Sequence, residues 1–180
     1  MFWNEPVVVA AAAVLIAGVM AGAALHKGLD LLAFRETLRS YALVPAPFLR
    51  PLAFVLPGAE AAVAILLLAP ATRGFGAGAA VLLLAVYTAA LALNLARGRT
   101  DIACGCSWGQ GGQGLSGWLL VRNAALLVAA AVASGGEAGG EIGVAGAVVA
   151  TAAGVSLLVA YHAGDRLIGN WPALRELRRT

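Results

Sequence analysis

The chain has 180 residues, 61% of them hydrophobic and 12% charged. Soluble domains run about 45–50% apolar and about 25% charged, so this composition excludes a water-soluble fold, and the surplus of Ala, Leu and Val must face lipid. The net charge of +3 comes from cations in short segments beside apolar runs, a pattern of membrane topology rather than of nucleic-acid binding.

A spanning helix needs about 20 mostly apolar residues. In lipid it must satisfy its own backbone hydrogen bonds, so each long apolar run is expected to be helical. The first run is Pro6 to Leu25. Ala21-Gly22-Ala23 mimics a signal-peptide cleavage site, but Met1 to Glu5 carries no basic residue and the run is long enough to span, so a retained helix is expected. Gly18 and Gly22 place two small residues four apart, which permits close helix approach; a plain bias toward Ala and Gly is the competing reading. His26 and Lys27 end this span. Lys27, like Tyr161 and His162 at the far end of the chain, reads as an interface anchor.

From His26 to Pro51 charge is mixed with Leu29, Leu31, Leu32, Phe34 and Leu38. That spacing suits a short amphipathic helix on the membrane surface, ended by Pro45 and Pro47. The second span, Leu52 to Ala69, holds Glu60 after Pro57-Gly58. A tight turn leads into the third, Gly76 to Ala96, with Asn94 near its end. Arg97 to Ser116 is a Gly-rich connection, and the fourth span, Gly117 to Ala133, carries Arg122 and Asn123 in its first turns. A polar link precedes the fifth, Ile142 to Tyr161, and residues 162–180 form a basic tail. The expected fold is all-α: one membrane domain over residues 1–180, a bundle of about five transmembrane helices. No repeat of similar halves is apparent, which argues against an inverted-repeat transporter.

Five spans put eleven of the twelve Lys and Arg residues on one face, with Arg73 alone opposite. The positive-inside rule makes that face cytoplasmic and puts the N-terminus outside. The unusual polar residues gather toward the same face. An ionisable group within a span is costly, so by default it faces the bundle interior and has a partner. Glu60 and Arg122, at similar depth, are expected to pair, either as a structural lock or as part of a functional site.

Cys104 and Cys106 are the chain's two cysteines and flank Gly105. A bridge between residues two apart closes a small strained ring, which is more easily reduced and more oxidising. Nearby Arg97, Arg99 and Arg122, with the N-terminus of the following helix, would stabilise a thiolate. Thiol–disulfide exchange fits these features. Three other readings stand beside it: a structural disulfide closing too short a loop to stabilise much, a soft-metal site short of ligands, and acylated juxtamembrane cysteines.

Asp101 to Trp108, with its Cys-Gly-Cys core, resembles the Cys-Gly-Cys-Phe-Gly segment of the methylamine utilisation protein MauE family; Trp108-Gly109 stands where Phe-Gly is usual. His26-Lys27-Gly28, Tyr41, Pro45, Glu60 and Val121-Arg122-Asn123 are also similar to that family and to the related DoxX-like proteins. The resemblance covers roughly Ala12 to Ala130. It implies a redox-associated membrane factor that assists maturation of the disulfide-rich methylamine dehydrogenase small subunit, with a thioredoxin-like partner. It also implies a logic comparable to the vitamin K epoxide reductase and DsbB groups, which pass electrons between a thioredoxin-fold protein and a quinone. No cofactor is evident in the residues themselves, and a quinone enters only through that comparison. Those groups carry two cysteine pairs and this chain one, so the second dithiol must belong to a partner. The resemblance sets the client's oxidation outside the cytoplasm, whereas the cations set Cys104 and Cys106 inside. Either the electrons come from cytoplasmic thiols or the cation rule fails here.

The expectation is therefore a bilayer-embedded thiol–disulfide exchange factor with Cys104 and Cys106 as its reactive pair. Glu60, Arg122, Asn123 and His26 support the site. The competing classes are a non-catalytic assembly factor, which holds its client by helix contacts, and a small-solute transporter built on Glu60, Asn94 and Arg122.

Overall fold

The computed structural model describes residues 5–100, 114–135 and 142–169. Its described residues form six α-helices: α1 (Pro6–Leu29), α2 (Leu31–Tyr41), α3 (Ala46–Leu68), α4 (Arg73–Ala96), α5 (Gly117–Ser134) and α6 (Val144–Gly169). All but α2 are long and apolar enough to cross a membrane, as expected for a multi-pass membrane protein.

The local chemistry explains most boundaries. Pro6 opens α1, where its missing N–H costs nothing. The Asp30 carboxylate caps α2 by accepting from the Ala33 N–H at 2.9 Å. Ala42, in the left-handed region at φ 50°, ends α2 before any proline is reached. Pro45 and Pro47 instead initiate α3, Pro45 as its N-cap residue. The amphipathic helix thus stops earlier, and the second span starts earlier, than the prolines suggested. Pro57 lies inside α3 and donates nothing to the Ala53 carbonyl, a gap that membrane helices tolerate.

The end of α4 is more elaborate. Gly98 takes φ +69°, its N–H donates to the Leu95 carbonyl, and the Arg99 N–H donates to the Asn94 carbonyl, both at 3.0 Å. This is a Schellman turn, and it requires the left-handed residue that glycine supplies cheaply. It delivers Thr100 to the start of α5, where the Thr100 carbonyl accepts from the Leu115 N–H at 2.8 Å.

The first helix is the hub. α1 packs against α3, α5 and α6, and α4 packs against α3 and α5. The main core, from α1, α3, α4 and α5, alternates alanines (Ala13, Ala17, Ala77, Ala80, Ala130) with Ile16, Met20, Leu67, Leu84 and Leu126. Small residues at these positions let helices approach closely. Closest is α1 against α6, where a Cβ on Gly154 would lie 2.6 Å from Val14 Cβ and 2.8 Å from the Ala11 carbonyl oxygen. The expected Gly18/Gly22 pair divides: Gly18 abuts Leu158 of α6, whereas nothing crowds Gly22. A second, smaller cluster joins Leu91, Leu115 and Leu119, with Tyr41 of α2 packed against it.

Candidate functional site

Along α1 the buried stripe Ala13, Ile16, Met20 continues one heptad beyond Met20 to Lys27. Lys27 is therefore on the core face, 3% exposed, and not an interface anchor as its place at the end of the apolar run suggested. On α3 the stripe Ala53, Pro57, Glu60, Ala64, Leu67 brings Glu60 to 0% exposure. The two stripes meet, and Lys27 Nζ forms an ion pair with Glu60 Oε1. The Tyr87 hydroxyl of α4 donates to the same oxygen at 2.9 Å.

Two rings complete this arrangement. Lys27 Nζ lies 4.6 Å from the centre of the Tyr87 ring and 5.2 Å from that of Phe34 on α2. A buried ammonium loses its hydration, and a carboxylate with two aromatic faces returns much of that loss. Glu60 Oε2 is buried and has no hydrogen-bond partner among the described residues.

A second pair lies on the other side of α1. Arg122 Nη1 of α5 donates to Asp165 Oδ1 of α6 at 2.8 Å, with the guanidinium 5.9 Å from the Tyr161 ring centre. The expected Glu60–Arg122 pair is thus replaced by two others, Lys27–Glu60 and Arg122–Asp165. The reason is topological. α1 packs on α3 as well as on α5 and α6, and it brings Lys27 against Glu60 of α3. α6 runs to Gly169, well past Tyr161, and so carries Asp165 to Arg122.

Both pairs nevertheless border one cavity. Lys27, Glu60, Tyr87, Arg122, Asn123 and Asp165, with Tyr161, His162 and Arg166 of α6, supply its polar wall, and Met20, Leu84 and Leu126 part of its apolar wall. Tyr161 and His162, expected as interface anchors, thus line the cavity. Its volume is about 60 Å³, room for a few water molecules, whereas ligand pockets run to about 300–1,000 Å³. Each of the two buried cations has a carboxylate, and the exposed Arg166 at the rim adds a further positive charge to the lining.

Of the residues singled out in the sequence, Glu60, Arg122 and Asn123 converge here. His26, beside Lys27, is half-buried and outside the cavity wall. Asn94 lies elsewhere: fully buried, it donates to the Ala90 carbonyl at 3.0 Å and accepts from Arg99 Nη1 at 3.3 Å. That is a structural role at the end of α4. Cys104 and Cys106 lie outside the described residues. The connection that carries them begins at Thr100 and ends at Gly114, and those ends are joined by the Leu115–Thr100 hydrogen bond.

The family model of "Methylamine utilisation protein MauE" matches residues 5–135. The chain belongs to the MauE family. Among named relatives, the methylamine utilization protein MauE of Paracoccus denitrificans is 33% identical over 180 residues, covering 99% of this chain and 96% of that protein. MauE of Methylorubrum extorquens is 39% identical over 127 residues, 70% of this chain and 68% of that protein. MauE of Methylophilus methylotrophus is 33% identical over 174 residues, 96% and 91% of the two chains. No solved structure matches. The MauE model spans α1 to α5, hence Lys27, Glu60, Tyr87 and Arg122, and stops short of α6 and Asp165.

Lys27, Tyr87 and Asp165 are the members of the two ion-pair clusters that the sequence does not assign to the site. Each had a signal. Lys27 follows Ala13 and Met20 at successive heptad positions. Tyr87 sits mid-span, away from the interfaces that tyrosines favour. Asp165 falls one turn after Tyr161 on the same helix face, if the helix is allowed to outlast the apolar run.

Proposed function

We propose that this MauE chain is a membrane factor that exchanges thiol and disulfide through Cys104 and Cys106 and so assists maturation of the disulfide-rich small subunit of methylamine dehydrogenase. The observation that carries the reading is the closed foot of the cysteine-bearing connection. Thr100 and Leu115 are hydrogen-bonded to each other, and the foot is packed on α2, α4 and α5. The two ends of the connection that carries Cys104 and Cys106 are thus held together on the helices.

In the proposed step a client thiolate attacks one sulfur of the Cys104–Cys106 disulfide. A mixed disulfide forms and the other cysteine leaves as thiolate. A second client thiolate then displaces the chain, leaving a client disulfide and a Cys104/Cys106 dithiol; two electrons and two protons have passed to the chain. A thioredoxin-like partner's disulfide takes them by the same two displacements. The cavity with Glu60, Arg122 and Asn123 holds the helices that carry the foot. The positive-inside rule orients this face to the cytoplasm, against a client oxidised outside, and labelling of Cys104 and Cys106 from outside the cell decides between the two.

Trapping tests the reading. Cys106, nearer the N-terminus of α5, is the better candidate for attack on the partner's disulfide. Cys104→Ser should then accumulate a covalent adduct on a non-reducing gel, and Cys106→Ser should lose activity without one. A double serine variant that is folded and supports full client maturation sinks the exchange mechanism and favours a scaffold that only holds its client.

A further inference from the structure

We infer that α2 is a strap whose residues Phe34 and Tyr41, together with Arg99, position the foot of the cysteine-bearing connection. The inference rests on the exchange reading only for why that position matters.

A helix of 11 residues such as α2 is marginal on its own. Its apolar contribution to the core is slight: Phe34 is its one buried residue, and Leu32 is 74% exposed. Within the protein it packs on α3, and two further contacts tie its two ends to the rest. At the N-terminal half, the Phe34 ring lies against the Lys27 ammonium, which Glu60 fixes in place. At the C-terminal end, the Tyr41 carbonyl is one of the last four that an α-helix leaves without an internal partner. It accepts from Arg99 Nη1 at 3.2 Å.

Arg99 is the joint between the strap and the foot. Its backbone closes the Schellman turn on Asn94, and its guanidinium bonds both Tyr41 and the Asn94 side chain. The next residue, Thr100, holds Leu115. The Tyr41 ring packs on the same Leu91, Leu115 and Leu119 cluster. A continuous set of contacts thus runs from Glu60 through Lys27 and Phe34 along α2 to Tyr41, Arg99 and the foot. Neighbouring Arg97 is exposed and provides the comparison.

The test is the rate at which the reduced Cys104 and Cys106 of the full chain, in detergent micelles, react with N-ethylmaleimide. Phe34→Leu keeps an apolar side chain and removes the ring; Arg99→Met keeps length and removes the donor. Each should change the rate roughly tenfold, the scale of one lost charge-assisted hydrogen bond, with helix content and melting close to the parent's. Arg97→Met removes a nearby cation without touching the strap, so any change it causes should vanish at a pH that ionises both thiols, where the Arg99→Met change should persist. Arg99→Lys should restore part of the parent's rate. Should Phe34→Leu fail to fold, Asp30→Ala, which removes the cap of α2 alone, should shift the rate in the same direction. Parent-like rates in Arg99→Met, or in both α2 variants, overturn the strap. The rate is read on the reduced pair without any partner, so it stands even if the double serine variant abolishes the exchange reading.

Discussion

The Lys27–Glu60 pair gives the sharpest test of the fold. Lys27 is 3% exposed and Glu60 0%. Removing one member of a buried pair strands the other, at about 3–5 kcal/mol. Lys27→Met should cost that much, because the Glu60 carboxylate keeps only the Tyr87 hydroxyl among the donors described at Oε1. Glu60→Gln should cost less, about 2–3 kcal/mol, since the Phe34 and Tyr87 rings go on stabilising the ammonium by up to about 2 kcal/mol. Lys27→Met with Glu60→Gln removes both charges, so its loss should fall well short of the sum, with a coupling of about 2–3 kcal/mol. The assay is unfolding of the purified chain by SDS in mixed micelles, read by circular dichroism. Additive losses would refute the pair, and so would a coupling larger for Glu60 with Arg122 than for Glu60 with Lys27.

Three further outcomes follow from the same geometry. Arg122→Gln and Asp165→Asn should each destabilise the chain by about 1–3 kcal/mol, with partial recovery in the double variant; a chain cut before α6 should show no such coupling. Gly154→Ala should cost about 1–3 kcal/mol by forcing α6 from α1, whereas Gly58→Ala, with open space around it, should gain up to about 1 kcal/mol in helix propensity; the same unfolding assay ranks them. A membrane-impermeant maleimide applied to intact cells after mild reduction should leave Cys104 and Cys106 unlabelled, and efficient labelling would reverse the proposed orientation.

The fold class was legible because lipid imposes one rule on every span: an apolar run of sufficient length has to be a helix. The interior of the bundle follows subtler rules. Glu60 could be recognised as buried and paired, since a carboxylate in the middle of a span has few alternatives. Its partner could not, because depth from the membrane face is shared by several cations and says nothing about which helix lies beside which. Lys27 was misread for that reason. At the last turn of an apolar run, a lysine can reach out to headgroups or turn inward, and only the continuation of the Ala13 and Met20 stripe decides between them.

The far end of α6 shows a different limit. Hydropathy marks where the lipid-compatible stretch ends, near Tyr161, because His162, Asp165 and Arg166 follow. A helix does not end there. Its backbone bonds continue wherever side chains do not oppose them, and α6 continues to Gly169. The polar residues past the apolar boundary are those with a reason to face inward: Asp165 answers Arg122, with Tyr161 one turn earlier against the same guanidinium. The same logic applies at the start of α3, where Pro45 and Pro47 lie in an apolar, proline-rich stretch and mark a helix beginning, not the end that proline alone suggests. In both places charge and proline mark the edge of the membrane, while the helix is set by capping and by what its faces meet. The candidate site reaches inward from that edge, from Lys27 at the end of α1, Arg122 in the first turns of α5 and Asp165 near the end of α6 to Glu60 and Tyr87 within the spans of α3 and α4. There charges can be buried in pairs at tolerable cost while the foot of the cysteine-bearing connection stays close to water.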